Sequence, residues 1–590
     1  MKRLIALLLA LLMLTGCGAK TEAPAAPQET ETVEVTVPAE HEITEIPYES
    51  RFSSETLIEL SDAGIKTSAL SVYASNDIIY YEDKDVYESG NPYGEGTDAD
   101  KHTADEAAAH IVVNITEPGA YRVTGKLSAG QIRVDLGDDA YEDENAVVEL
   151  ILDDADITCA VAPAILFLNT YECDGAWSED TAKAEVDTSK AGANLILEGE
   201  NTVSGSYVAR IYKDKEGEKK LWKQDGAIYS YMSMNVYGSG VLDLNAENEG
   251  MDTELHLTIN GGNLNIRSGN DGINTNEDNV SVTTINGGTV CIIAGLGAEG
   301  DGIDSNGYLM INGGMVISSA HPAADAGLDS DKGSYINGGT VIALGSTMDW
   351  AESESNQVTM NLQFASYQEE NAAIEVKRED GTTIFSFDPA SDTVLGEHNR
   401  KYMGAIISCP NFKQGESYLV YVNGTQMQYS GTDVQRFPGG MGGFGGGRGE
   451  RPEGFEGEMP EGWTPGQGGE RPEGFGGGMG QRPEGGERPE GFEGKMPEGF
   501  NGQQPADMDL PEGFGKIPSQ EDPEMGWGFS GELPEGFEGQ FPEGFDGELP
   551  EGFEGQFPGG FGGSQQSGES STLFYMQDKV NSFSGVSAVK

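Results

Sequence analysis

One four-residue phrase, Ile-Asn-Gly-Gly, recurs through the middle of this 590-residue chain and limits its fold more than any other feature. It occupies residues 259–262, 285–288, 311–314 and 336–339, so its asparagines are 26, 26 and 25 residues apart. A second phrase, glycine followed by an apolar residue, a polar residue and Thr or Ser, begins at Gly250, Gly272, Gly302 and Gly327. Repeats of this length indicate a stack of similar structural units.

The short apolar stretches between these phrases alternate with polar residues, as half-buried strands do. After each Gly-Gly, apolar side chains recur at every second position, as in Leu264 and Ile266 or Val290 and Ile292. Short strands separated by Gly/Asn turns predict an all-β chain, a parallel β-helix from about residue 108 to 348. Asn-Gly-Gly then has a structural role, because both residue types tolerate the positive φ of a corner.

Aligning the units on their glycines predicts columns of polar side chains on the outside of the stack. Successive side chains of a strand point to opposite faces, so the apolar residues face the core and the polar ones face outward. The first column contains Asp252, Asn274, Asp304 and Asp329, the second contains Glu254, Asn276, Asn306 and Asp331, and a corner column before the glycine contains Glu249, Asp271 and Asp301.

Carboxylates stacked at the strand spacing of ~4.8 Å repel one another, so these columns predict a bound cation. Carboxylate, amide and carbonyl oxygens suit Ca²⁺, and the six histidines and five cysteines show no zinc-like spacing. The predicted calcium ligands are Asp252, Asp271, Asn274, Asn276, Asp301, Asp304, Asn306, Asp329 and Asp331. The alternative is a solvated face, in which asparagines hydrogen-bond to each other and aspartates cap turns.

Residues 1–17 predict a bacterial lipoprotein signal peptide. Basic Lys2 and Arg3 precede an apolar run that ends in Leu-Thr-Gly-Cys, in which Cys17 would be lipidated. Residues 18–47 are rich in Pro, Glu and Thr and predict a tether, so we expect a lipid-anchored protein on the extracellular face of a bacterial membrane. A net charge of −64 argues against nucleic acid as a partner.

The repeat ends before residue 356, and the remaining chain divides into three parts. Residues 356–433 predict a small β domain that caps the stack, and residues 571–590 return to strand-like sequence. Between them, residues 437–570 repeat Pro-Glu-Gly-Phe, and this Gly/Pro/Glu-rich composition predicts disorder because it cannot form a core. Cys159 and Cys173 are close enough in sequence for a disulfide, which the sequence does not decide.

The phrase Asp-Gly-Ile at 271–273 and 301–303, interleaved with Ile-Asn-Gly-Gly, resembles a family of clostridial-type surface proteins. Segments 117–135 and 225–242 are similar to earlier units of that family, and the resemblance covers about residues 108–436. It implies a right-handed, calcium-containing, pectate-lyase-like β-helix that binds cellulose-like or pectin-like polysaccharide. It also implies Asp271, Asp301 and Asp304 as calcium ligands. Glu249 and Ala326 depart from the family's preceding aspartate, which puts the metal at those two units in question.

Three classes of function fit the sequence. We expect a non-catalytic polysaccharide binder, with Tyr229, Tyr231, Tyr237 and Trp350 as candidate rings for stacking on sugar. A calcium-dependent polysaccharide lyase is the alternative enzyme, but a lyase needs a base near the metal, and few basic residues lie within 250–348. A structural stalk or adhesin is the third class, which predicts calcium-dependent stability without glycan binding.

Overall fold

The structure is a computed structural model that describes residues 46–81, 102–176, 178–211, 222–346, 348–432 and 570–589, all within one compact unit. These residues are nearly all β. No helix among them is both long and apolar enough to cross a membrane. The signal peptide with Cys17, residues 18–45 of the tether and residues 437–569 of the segment predicted to be disordered lie outside the described residues.

The described residues of the N-terminal half form strands, a five-residue α-helix and a 3-10 turn. In chain order these are β1 (Glu55–Ser61), β2 (Gly64–Thr67), β3 (Val72–Ser75), α1 (Ala104–Ala108), β4 (Ile111–Ile115), β5 (Gly119–Leu127), β6 (Gly130–Asp135), the 3-10 turn (Ala140–Glu142), β7 (Val148–Cys159), β8 (Ile165–Asn169), β9 (Ala193–Glu198), β10 (Glu200–Gly205), β11 (Val208–Ile211), β12 (Trp222–Gln224), β13 (Gly226–Ser230), β14 (Met234–Gly238) and β15 (Val241–Ala246). α1 begins at a capping box in which Thr103 and Glu106 satisfy each other's backbone N–H groups.

The repeat region continues with strands of three to six residues. They are β16 (Glu249–Thr253), β17 (Leu257–Ile259), β18 (Asn263–Ser268), β19 (Ile273–Thr275), β20 (Val282–Ile285), β21 (Thr289–Ile293), β22 (Ile303–Ser305), β23 (Tyr308–Ile311), β24 (Met315–Ser319), β25 (Leu328–Ser330), β26 (Ser334–Ile336) and β27 (Thr340–Gly345). Each unit of the sequence repeat therefore supplies three strands.

These strands stack in three ladders of parallel pairs. The first ladder runs β9–β14–β17–β20–β23–β26, the second runs β10–β15–β18–β21–β24–β27, and the third runs β4–β6–β8–β13–β16–β19–β22–β25. The long strand β7 pairs with both β9 and β10, so it joins the first two ladders. The pairing is mixed overall, because antiparallel pairs such as β3–β4 and β27–β31 occur at the two ends.

The interior between the ladders is mainly apolar, with a few buried hydroxyls such as those of Thr275 and Ser305, which hydrogen-bond to each other. Ile259, Ile285, Ile311 and Ile336 stack in register along the first ladder, and all four are fully buried. Parallel strands that pack on a shared interior need apolar side chains at the same position in every unit. The alternation in the sequence supplies them, which explains why the units repeat.

The Ile-Asn-Gly-Gly corners carry a ladder of side-chain amides. Nδ2 of Asn286 donates to Oδ1 of Asn260, Nδ2 of Asn312 donates to Asn286 and Nδ2 of Asn337 donates to Asn312, each at 2.9 Å. Gly288 has φ of 76°, and a Cβ there would lie 2.5 Å from the carbonyl oxygen of Gly262. The corner needs glycine both for its left-handed backbone and for this close approach.

The described strands begin earlier than the sequence predicted. Residues 46 and 47, assigned to the tether, are ordered with the rest, and β1 pairs in parallel with β5 well before residue 108. Residues 46–52 form a strap across the outside of the first ladder. The rings of Tyr48 and Tyr237 are tilted by 43° with their centroids 4.6 Å apart, and Phe52 packs against the cluster of Ala120, Ile151, Ile196 and Tyr237. These residues do not repeat, so the repeat pattern could not identify them.

The C-terminal module contains β28 (Thr359–Phe364), β29 (Ile374–Lys377), β30 (Thr383–Phe387), 3-10 turns at Pro389–Ser391 and Leu395–Glu397, β31 (Gly404–Ser408), β32 (Ser417–Val422), β33 (Thr425–Gln428), β34 (Phe574–Tyr575) and β35 (Val580–Ala588). β31 pairs antiparallel with both β27 and β28, which connects the module to the end of the second ladder. β35, from the end of the chain, pairs in parallel with β28. Phe574 and Phe583 share an apolar core with Phe385 and Tyr418.

Cys159 and Cys173 are free thiols in this structure. Cys159 is the last residue of β7, with its side chain in the core, whereas Cys173 follows β8 of the third ladder. The possible disulfide is therefore not formed here.

Candidate metal site

The third ladder aligns the first polar column. Asp252, Asn274, Asp304 and Asp329 are successive partners along β16, β19, β22 and β25. Asp252 and Asn274 are buried, Asp304 and Asp329 are half-buried, and Asp331 is exposed at the end of the second column. The column therefore passes from a covered end to a solvent-accessible end.

Three carboxylates meet at the covered end. Oxygens of Asp225, Glu249 and Asp252 all lie within 4.8 Å of one another, and the three residues are 4%, 2% and 0% exposed. Oε2 of Glu249 and Oδ2 of Asp252 are buried and have no hydrogen-bond partner. Lys223 forms an ion pair with Asp225. One ammonium cannot balance three buried carboxylates, so the cluster has an excess of negative charge.

Burial raises the pKa of Asp252 well above its usual value, and the neighbouring Glu249 and Asp225 raise it further. The same causes act along the corner column. Burial, Glu249 and Asp304 raise the pKa of Asp271. Burial, Asp329 and Asp271 raise the pKa of Asp301. Seven carboxylates therefore form one acidic file along the third ladder, namely Asp225, Glu249, Asp252, Asp271, Asp301, Asp304 and Asp329. A cation beside this file would stabilise the charged forms of its members.

The corner aspartates also have a structural role. Oδ1 of Asp271 accepts the backbone N–H of Asp301 at 2.7 Å, and Oδ1 of Asp301 accepts the N–H of Ala326 at 2.5 Å. One oxygen of each carboxylate thus fixes the next unit of the stack. In the second column, Nδ2 of Asn276 donates to Oδ1 of Asp252 at 2.8 Å, and Nδ2 of Asn306 donates to the carbonyl oxygen of Asn276 at 3.0 Å. These asparagines orient the cluster, and their amide nitrogens point at oxygen acceptors.

The sequence-based prediction did not include Asp225 and treated Glu249 as a departure. A signal was present, because Asp225 and Glu249 each precede a glycine, as Asp271 and Asp301 do. The glycine after Asp225 is required by the site. A Cβ on Gly226 would lie 2.6 Å from Cβ of Asp252, so only glycine leaves room for the Asp252 side chain.

The four aromatic residues predicted to stack on sugar are buried. Tyr229, Tyr231, Tyr237 and Trp350 are 0%, 6%, 8% and 3% exposed. Tyr229 contacts Glu254 through its hydroxyl, Tyr231 packs edge-on against Tyr229, and the strap covers Tyr237. None of these rings offers a face to a ligand, so this prediction was wrong. The alternation of strand residues does not distinguish a ring that faces solvent from one covered by a distant segment.

Comparison with known proteins gives a family of similar chains. Residues 110–399, which contain the three ladders and part of the C-terminal module, match a family model described as a carbohydrate-binding domain-containing protein.

Particular proteins match less of the chain. A carbohydrate-binding domain-containing protein of Acetivibrio thermocellus is 28% identical over 176 residues, which are 29% of this chain and 51% of the relative. The chain thus spans about half the length of this curated relative. Among solved structures, a gadolinium derivative of the polysaccharide lyase-like protein from C. thermocellum is 20% identical, with a TM-score of 0.28 over 48% of this chain and 93% of that chain.

Proposed function

We propose that this protein is a calcium-stabilised, non-catalytic binder of extracellular polysaccharide, displayed on the outer face of a bacterial membrane through a lipid on Cys17. The matched family and the curated relative are both described as carbohydrate-binding. Residues 1–17 have the pattern of a lipoprotein signal peptide, which supports this localisation.

The proposed architecture is a right-handed parallel β-helix. The chain passes through the three ladders of parallel strands in turn, which supports this architecture. Connections between parallel strands are right-handed in almost all proteins, which supports the handedness. In such a stack each unit adds one rung, and equivalent side chains form continuous columns along the outer surface.

The calcium proposal depends on the two buried, unpartnered oxygens of Glu249 and Asp252. Leaving a charged oxygen buried without a partner costs several kcal/mol, which a cation would offset. Asp225, Glu249 and Asp252 supply only hard oxygen ligands, a set that suits Ca²⁺ and not a soft transition metal. Asn274, whose Oδ1 is also buried without a partner, would complete the covered site. Asp271, Asp301, Asp304 and Asp329 would hold further calcium along the file.

An acidic polymer could bind at the accessible end of the same file. Half-buried Asp304 and Asp329 and exposed Asp331 lie there, on a chain whose net charge is −64. Calcium that bridges these carboxylates to uronic-acid groups would allow an acidic protein to hold a pectin-like chain. Without the metal, like charges would keep the polymer away.

The absence of catalysis is also a proposal. A lyase requires an unprotonated base beside the metal-bound sugar. Lys223 is the basic residue that the structure places at the covered cluster, and it is ion-paired with Asp225. An ion-paired ammonium already carries the proton that a base would have to accept. This pairing favours binding over elimination.

Pull-down on insoluble cellulose and on polygalacturonate, with and without chelator, tests the proposal. We expect wild type to bind polygalacturonate only with calcium and to release no unsaturated sugar. Asp252→Asn should weaken calcium binding at least tenfold by calorimetry, because it removes a buried charged ligand. Asp243→Asn on the second ladder is the matched control and should bind as wild type does. Unsaturated product would make the protein a lyase, whereas calcium-dependent stability without any glycan binding would make it a stalk.

A further inference from the structure

A second surface feature lies on the C-terminal module and does not include any residue of the acidic file. It is an open cleft of about 430 Å³ lined by Tyr367, Gln368, Glu369, Glu370 and Lys401. Small-molecule sites in proteins have volumes in this range. The cleft combines one aromatic ring with amide, carboxylate and ammonium groups.

Tyr367 is the aromatic platform of the cleft. Its side chain is 44% exposed, in contrast to the buried Tyr229 and Trp350. Its hydroxyl donates to the carbonyl oxygen of Pro322 at 2.8 Å, so the far end of the ring is fixed to the loop before β25. An exposed ring fixed in this way offers a face to a ligand without first losing rotational freedom.

The backbone around the cleft is also fixed. The N–H of Gln368 donates to the carbonyl oxygen of Tyr402 at 2.8 Å, and the N–H of Asn371 donates to that of Arg400 at 2.8 Å. In return, Oδ1 of Asn371 accepts the N–H of Arg400 at 3.0 Å. These bonds hold the loop after β28 against the segment before β31. The two walls of the cleft therefore keep their spacing before any ligand arrives.

The polar groups of the cleft are available for hydrogen bonds. Nε2 of Gln368 donates to the carbonyl oxygen of Ser366 at 2.9 Å, which orients the amide and leaves Oε1 as an acceptor. Within the part of the chain that the structure describes, the side chains of Glu369, Glu370 and Lys401 form no hydrogen bond or ion pair. The cleft thus offers several acceptors and one cationic donor beside a fixed ring.

We infer that this cleft binds a neutral sugar chain of the glucan type and does so without calcium. The apolar C–H face of a hexose ring can stack on Tyr367, and its hydroxyls can both donate to the two glutamates and accept from Lys401. A uronate is disfavoured because two carboxylates line the cleft on a strongly acidic protein. The inference rests on the proposed carbohydrate-binding function and adds a second chemical class of ligand at a separate site.

Calorimetric titration of the full chain with cellohexaose in the presence of chelator tests the cleft. We expect wild type to bind, Tyr367→Ala to bind at least tenfold more weakly, and Tyr367→Trp to retain binding because it keeps an aromatic face. Tyr73→Ala and Tyr575→Ala are matched controls, because these tyrosines are 37% and 49% exposed but do not line the cleft. Both controls should bind as wild type does.

Circular dichroism should confirm that each variant is folded. No binding of cellohexaose to wild type would overturn the inference, as would equal losses in Tyr367→Ala and Tyr575→Ala. If wild type does not bind polygalacturonate in the presence of calcium, the proposed calcium site on the acidic file is wrong. That result would not contradict the proposal for the cleft. Failure of one proposal can therefore be distinguished from failure of the other.

Discussion

At the scale of single residues, a buried histidine connects the first ladder to the loop that follows β8. Nδ1 of His256 accepts the backbone N–H of Val282 at 3.1 Å, so the ring proton lies on Nε2, which is 3.4 Å from Oδ2 of Asp174. His256 is 1% exposed. The ring of His256 beside it holds the pKa of Asp174 below its usual value.

This pair predicts a loss of stability in acid. A carboxylate with a depressed folded-state pKa stabilises the fold above its unfolded pKa of about 3.9, and the contribution disappears as pH falls through the lower folded value. Asp174→Asn should therefore reduce the free energy of unfolding by about 1–3 kcal/mol at pH 7. The deficit should shrink below about pH 4, where the wild-type carboxylate itself becomes protonated.

Urea unfolding at a series of pH values measures that deficit. Asp180→Asn, at an exposed position on the same loop, should show no deficit at any pH. A deficit of Asp174→Asn that stays constant from pH 7 down to pH 3 would contradict a stabilising role for the Asp174 carboxylate.

At the scale of elements, the asparagine ladder joins successive corners by side-chain hydrogen bonds. Asn312 is central, because it donates to Asn286 and accepts from Asn337. Asn312→Ala removes both bonds and should lower the free energy of unfolding by about 1–2 kcal/mol. The effect is modest because the side chain is exposed. The change should appear as a lower denaturation midpoint with the same dependence on denaturant.

Asn263→Ala provides a control for that substitution. Asn263 is also polar and outside the core, but its side chain makes one hydrogen bond, to the carbonyl oxygen of Ser239 at 3.1 Å. Asn263→Ala should lower the free energy of unfolding clearly less than Asn312→Ala does. Equal costs would show that the ladder does not act as a connected element.

Repetition determined how much of the structure the sequence could predict. Strands with alternating apolar residues were predictable, because each unit solves the same packing problem, and the glycine alignment also placed Asp252 beside Asn274. β1, β2 and the strap could not be predicted in this way, because each occurs once and depends on partners far along the chain. Lys223 and Asp225 of the covered cluster were not predicted, since they lie outside the clean repeats.

At the scale of the whole molecule, the strap ties the N-terminal segment to the first ladder. Oγ of Ser50 donates to Oε2 of the buried Glu149 at 2.5 Å, and the N–H of Arg51 donates to Oε1 at 2.8 Å. Deleting residues 46–52 would uncover Tyr237, Ile151 and Ile196 and leave Glu149 without these donors. We expect the free energy of unfolding to fall by roughly 2–5 kcal/mol, from lost apolar burial and an unsatisfied carboxylate.

Differential scanning calorimetry of the deletion variant measures this loss. Glu149→Gln in the full chain is a partner experiment, because it keeps the apolar contacts of the strap and weakens only the hydrogen bonds. The melting temperature of Glu149→Gln should lie between those of wild type and the deletion variant. A deletion variant that melts with wild type would show that the strap is dispensable.

The strap also determines how the fold responds when the chain is pulled at residue 46. Its contacts lie on different rungs: Ile46 donates its N–H to the carbonyl oxygen of Asn260 after β17, Tyr48 covers Tyr237 of β14, and Ser50 and Arg51 donate to Glu149 of β7. Tension at residue 46 must break these contacts one after another before it reaches β1. β1 would then have to slide along β5, to which it is bonded in parallel over six residue pairs. The contacts of the strap would break first and could form again. The strands that carry the acidic file would meanwhile remain paired.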